Sequence, residues 1–147
     1  MAPLIVLVVS ALLFWLTGRV GVAVFRDLGF VLRAALGLMF LFTASAHLGK
    51  RRPDLIRMVP PALPRPDLLV TFTGVLDILG AIGLFVPVTA RAACICLVLL
   101  LLALLPANIH AARQNLTIAG RPVPSSSVRV AIQLVFIVTL VAAAWLR

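Results

Sequence analysis

The sequence predicts an all-α integral membrane protein, a four-helix transmembrane bundle with an additional N-terminal transmembrane helix. Three observations predict it. Of the 147 residues, 63% are hydrophobic and 12% charged, with a mean hydropathy of +1.22, against about 45–50% apolar and 25% charged in soluble domains. The apolar residues fall into five runs separated by basic or proline-rich breaks. A helix needs about 20 apolar residues to cross about 30 Å of hydrocarbon, so these runs use nearly the whole chain. Residues 1–29 are expected to form an N-terminal helix and turn, and residues 30–147 the four-helix transmembrane domain.

The first run, from Leu4 to Leu16, is short, but the pattern stays apolar to Phe25 if Arg19 snorkels to the interface, which predicts a helix near 4–25. A cleaved signal peptide is the rival reading; no basic residue precedes the run, and no clear small-x-small site follows it. Arg26-Asp27 marks a turn. The second run, Phe30 to Gly49, stops at the basic cluster Lys50-Arg51-Arg52. In the segment after it, Pro53, Pro60, Pro61, Pro64 and Pro66 forbid a long continuous helix, so a loop on the membrane surface is expected.

The third run, Leu68 to Val86, carries Gly74, Gly80 and Gly83, small residues that let helix backbones approach closely in lipid. It stops near Pro87. The fourth, Ala92 to Ala112, contains Pro106, which removes a backbone donor and frees the carbonyl near Leu102, so a kink is expected there. A second polar loop leads to the last run, Val128 to Leu146.

Thirteen basic against four acidic residues give a net charge of +9. The basic residues lie in the gaps between apolar runs, where they set topology and meet anionic headgroups, and no basic stripe is interleaved with stacking aromatics. The partner expected is the lipid bilayer, not nucleic acid. With alternating spans, one face holds Lys50, Arg51, Arg52, Arg57, Arg65, Arg113, Arg121 and Arg129, and the other Arg19, Arg26, Arg33, Arg91 and Arg147. The richer face is expected to be cytoplasmic. Trp15 and Trp145 both fall at the poorer face, as interfacial anchors do. Twelve Arg to one Lys, with no Tyr, points to a GC-rich bacterial genome and a multi-pass protein of the inner cell membrane.

Alternation also places five polar residues in one half of the bilayer: His47, Asp77, Asn108, His110 and Gln133. Asp77 lies nine residues beyond Leu68, about 13 Å deep at 1.5 Å per residue. An ionised carboxylate there costs about 2.5–3.5 kcal/mol, so it must be protonated, paired or hydrated. It marks a functional site, or a hydrogen bond that fixes helix packing. His47 beside it would complete a proton-handling pair, though a histidine near a helix end also suits a headgroup-level cap. His110, nearer its loop, fits that plainer role better. Two histidines near one face raise haem ligation, but nothing in the sequence places them on facing helices.

Cys94 and Cys96 are 200° apart on a helix and cannot form a local disulfide. With no Glu, no phosphate-cradling glycine loop, no nucleophile elbow and no zinc-spaced Cys/His cluster, hydrolytic, nucleotide-driven and metal-site chemistry are not expected.

In order along the chain stand LGLMFLFTASAHLGK ending at His47, the MVPPALPRP loop, TGVLDILGAIGLFVP with its acid, the Arg91 segment, and LLPANIHAAR. Over 30–146 this series resembles the DoxX family of small membrane proteins, whose fold is a four-helix transmembrane bundle; 1–29 resembles the added N-terminal helix of some members. His47, Asp77, Pro106 and Asn108 match positions of the family pattern, with Asp77 where many members carry Glu. The family takes its name from a subunit of a membrane quinol oxidase, so the resemblance implies an accessory subunit of a quinone-linked redox system, not an enzyme on its own, with quinone as the cofactor class. Assembly factors of similar architecture suggest an alternative, an assembly or interaction factor meeting a membrane-protein partner or a second copy through the glycine-rich third helix. A small-solute transporter has less support, since no inverted repeat is evident.

Overall fold

The computed structural model describes residues 1–146. In chain order it comprises α1 (Ala2–Val20), a 3-10 turn (Ala23–Arg26), α2 (Leu28–Leu48), α3 (Arg52–Met58), α4 (Pro66–Phe85), α5 (Ala90–Arg113), the two-residue strands β1 (Thr117–Ile118) and β2 (Arg121–Pro122), and α6 (Ser126–Trp145). Five of the helices, α1, α2, α4, α5 and α6, are long and apolar enough to cross a membrane. The chain is a multi-pass membrane protein.

Local chemistry sets the boundaries. Asp27 ends the first segment and starts α2: its Oδ1 accepts from the Gly29 amide at 2.9 Å, capping one of the free N–H groups of the helix start. Pro66 occupies the first turn of α4, where its missing N–H costs nothing. At the other end Val86, held extended by the proline after it, terminates α4.

Three elements differ from expectation. The first helix stops at Val20 rather than near 25, because Gly21 turns the chain at φ 124° and Phe25 folds back until its carbonyl meets Gly18. A Cβ on Gly18 would lie 2.2 Å from that oxygen, so only glycine permits the return. The loop after α2 contains a seven-residue helix, α3, which its first proline tolerates because Pro53 falls in the opening turn. The loop after α5 closes as a hairpin on Ala119 and Gly120, both at positive φ (52° and 73°), the geometry of a tight two-residue turn.

In space, α2 packs on α4, α4 on α5, α5 on α6 and α6 back on α2, closing a four-helix ring; α1 lies outside it against α2. The Asp54 carboxylate of α3 accepts from the Ala119 amide of the hairpin at 3.0 Å, which puts both long loops on one face. On the other face the Arg91 guanidinium lies 5.6 Å from the Trp145 ring centroid, and Leu146 O abuts Gly29.

The apolar core occupies the half of the bundle toward that second face, built on Leu36 and Met39 of α2, Leu84 of α4, Leu97 of α5 and Leu140 of α6. The glycines bring the ring together. An added Cβ on Gly80 would sit 2.4 Å from Leu97, and one on Gly37 would meet the Phe85 ring at 2.6 Å.

Candidate functional site

The half of the bundle toward the loop face is where its polar side chains lie. His47, in the last turn of α2, faces α4 at Gly74, where a Cβ would approach the His47 Cβ to 2.7 Å. Glycine there lets the imidazole lie against the α4 backbone. Its Nδ1 stands 2.7 Å from the Val70 carbonyl, with Thr73 Oγ1 at 3.3 Å. Its Nε2 stands 3.6 Å from Asp77 Oδ2. Asp77 is 4% exposed, and the His47 side chain 12%. Thr43, one turn before His47, donates to Phe40 O at 2.8 Å and holds its oxygen 3.4 Å from the same Asp77 Oδ2.

This arrangement fixes where protons reside. A carbonyl oxygen can only accept, so Nδ1 carries hydrogen toward Val70. Nε2 then faces the carboxyl oxygen, and two lone pairs opposed in a nearly dry site would repel. One proton therefore belongs to the gap, either as imidazolium against carboxylate or as neutral imidazole against carboxylic acid. At 3.6 Å the gap is longer than a hydrogen bond, so a small side-chain rotation is needed to close it. Thr43 serves both forms: its hydroxyl can donate to the carboxylate, or keep its proton on Phe40 O and accept from the acid.

Arg52 closes the site from the loop side. Its guanidinium donates to His47 O at 3.2 Å, to Asp67 O at 3.1 Å and to Thr71 Oγ1 at 2.8 Å, tying the end of α2 to the first turns of α4. Because His47 stands level with Gly74, α2 ends about two turns short of the start of α4, and α3 covers the step. His47 therefore lies deeper than its three-residue distance from Lys50 suggests.

The other amides form a separate constellation between α5 and α6. Asn108 Nδ2 donates to Gln133 Oε1 at 2.9 Å, and the Gln133 amide donates to the carbonyl of Leu101. Arg129, one turn before Gln133, donates to Asn108 Oδ1, while its Nε is buried with no hydrogen-bond partner among the described residues. The helix runs through Pro106 without a break, and the carbonyl that Gln133 reaches lies one residue before Leu102. His110 joins neither group. It lines an open groove with Leu102, Leu105, Pro106, Ile109 and Arg113.

Five residues expected together thus lie at two separate helix pairings, α2–α4 and α5–α6, with His110 on the outer surface. Sequence reasoning passed over Thr43, Thr73, Arg52 and Arg129. The first two were legible, since Thr43 precedes His47 and Thr73 precedes Asp77 by four residues, which places each pair on one helix face. Arg129 stands in the same relation to Gln133, but its charge reads equally well as a loop signal.

Residues 36–147 match the model of a family described as "Domain of unknown function (DUF8561)". No curated protein and no solved structure matches the chain.

Proposed function

The chain belongs to the DUF8561 family, and from its buried polar site and its resemblance in sequence we propose that it is a DoxX-like accessory subunit of a quinone-linked redox system in a bacterial inner membrane. Its part is to hold a proton at the His47–Asp77 pair for a quinone headgroup lodged in the loop-face half of the bilayer. The observation that carries this reading is the Nδ1 contact to Val70, which commits Nε2 and Asp77 Oδ2 to sharing one proton in a nearly dry site. Quinone reduction consumes protons as well as electrons, and a buried donor within the hydrocarbon layer meets that need. The electrons come from a redox partner, since the chain's own residues supply none.

The test is equilibrium binding of a short-chain ubiquinone and of a menaquinone analogue to purified wild type, Asp77→Asn and His47→Gln. The expected outcome is saturable binding to wild type that weakens at least about tenfold in either variant, about 1.4 kcal/mol. Absence of binding to folded wild type overturns the reading.

A second reading is favoured by the partners each side chain already has: His47 Nδ1 is held by Val70 O and Asp77 by Thr43, with the two 3.6 Å apart, so they can serve purely to fasten α2 to α4. The chain would then be an assembly or interaction factor. Gly74, Gly80 and Gly83 are filled from within by His47, Leu97 and Ala93. A partner helix or second copy would therefore meet the opposite side of α4, at Phe72, Val75, Leu79 and Ile82. A membrane protein that co-purifies with wild type and is lost on Leu79→Glu, with quinone irrelevant, favours this reading.

A further inference from the structure

Two open grooves lie on the loop-face half of α5 and share Ile109 and Arg113 in their lining. The first, about 460 Å³, is lined by Leu102, Leu105, Pro106 and His110. The second, about 490 Å³, lies between α5 and α6, over Val130, Ala131 and Leu134, with Ser126 and Ser127 at its mouth. Both are apolar along their length and polar at one end, and both include Arg113.

Arg113 is exposed and makes no hydrogen bond or ion pair among the described residues. It has no acid to turn to. Of the four acids in the chain, Asp27 is on the opposite face with Arg33, Asp77 faces His47, Asp54 holds Arg57, and Asp67 lies in the first turn of α4. Eight cations on the loop face stand against Asp54 and Asp67 alone. The charge missing from this face is negative.

We propose that this pair of grooves is a binding site for one diacyl anionic glycerophospholipid. The phosphate is held by the Arg113 fork, with the Ser126 and Ser127 hydroxyls and the His110 ring alongside. One acyl chain lies in each groove, so that the molecule straddles Ile109. The guanidinium presents paired donors that match two phosphate oxygens, which a zwitterionic lipid satisfies less well because its own ammonium competes. Two apolar grooves that share one cation match two chains carried by one headgroup, and basic sites between helices at a cytoplasmic surface are where anionic headgroups bind.

The experiment is native mass spectrometry of the full chain released from micelles doped with equal amounts of phosphatidylglycerol and phosphatidylcholine. Wild type is expected to retain one phosphatidylglycerol at least tenfold more often than one phosphatidylcholine. Arg113→Gln is expected to erase that preference and Arg113→Lys to restore part of it. Leu134→Trp, which blocks the second groove, is expected to shift the preference toward single-chain lysophosphatidylglycerol. Circular dichroism melting of each variant in detergent confirms that it is folded. Equal retention of the two lipids by wild type, or a preference unchanged in folded Arg113→Gln, overturns the proposal. So does competition by glycerol phosphate as effective as that by the diacyl lipid, which would show a phosphate site without use of the grooves.

Discussion

At the scale of single residues, the His47–Asp77 pair depends on a hydrogen and on a missing carbon. The hydrogen is the one on Nδ1, committed to Val70 O; the missing carbon is the Cβ of Gly74. Removing either partner leaves the other buried among groups that cannot replace it, so the two substitutions should not add. A double-mutant cycle of His47→Gln and Asp77→Asn, read by thermal unfolding in detergent, is expected to give a coupling of about 1–3 kcal/mol. Additive effects would show that the 3.6 Å approach is incidental. Asp77 and His47 were legible from sequence because an acid in an apolar run has few explanations. Arg52 and Arg129 were not, because each sits beside a loop where basic residues are ordinary. Only the direction of the loop decides whether a guanidinium turns inward.

Among the elements, α3 and the β1–β2 hairpin are the ones that periodicity could not foresee. Five prolines concealed about two helical turns in 52–58, and the hairpin turns on Ala119-Gly120 where Asn-Gly is the recognisable signal. Asp54 joins the two. The Ala119 amide first, and Arg57 second, hold its carboxyl below the usual carboxylate range. Charge on Asp54 is thus favoured in the folded loop. Its contribution is present above the ordinary value of 3.8 and is lost as pH falls through the lower folded value. Hydrogen exchange at the Ala119 amide is therefore expected to lose protection as pH drops from about 5 to about 2, after correction for intrinsic rates. In Asp54→Ala, which removes the acceptor, the protection is expected to be low throughout. Equal protection in both proteins at every pH would rule the tether out.

For the molecule as a whole, the five long helices follow from five apolar runs, each placed within a few residues of where hydropathy puts it. The closed ring of four, with α1 outside, does not follow from the runs; it depends on which glycines meet which side chains. The Asp54–Ala119 bond puts 49–65 and 114–125 on one face, so single cysteines at Ala62 and Ala119, in a background lacking Cys94 and Cys96, should react from the same side. A cysteine at Val88 should react from the other. By the excess of basic residues, the first two are expected to be protected from an impermeant maleimide in intact cells. Labelling of Ala62 and Ala119 positions from opposite sides would break the five-span arrangement.

The step between α2 and α4 has an electrical consequence. Gly74 is eight residues from Pro66, so with Pro66 as the boundary of the hydrocarbon the pair lies about 12 Å inside a layer of about 30 Å. Moving one elementary charge through the full thickness takes about 2.3 kcal/mol per 100 mV. A proton travelling from the basic face to His47 and Asp77 thus crosses about two fifths of the field, about 0.9 kcal/mol per 100 mV. Had α2 ended level with α4, the histidine would sit almost outside the field. The early end of one helix gives its terminal side chain a voltage.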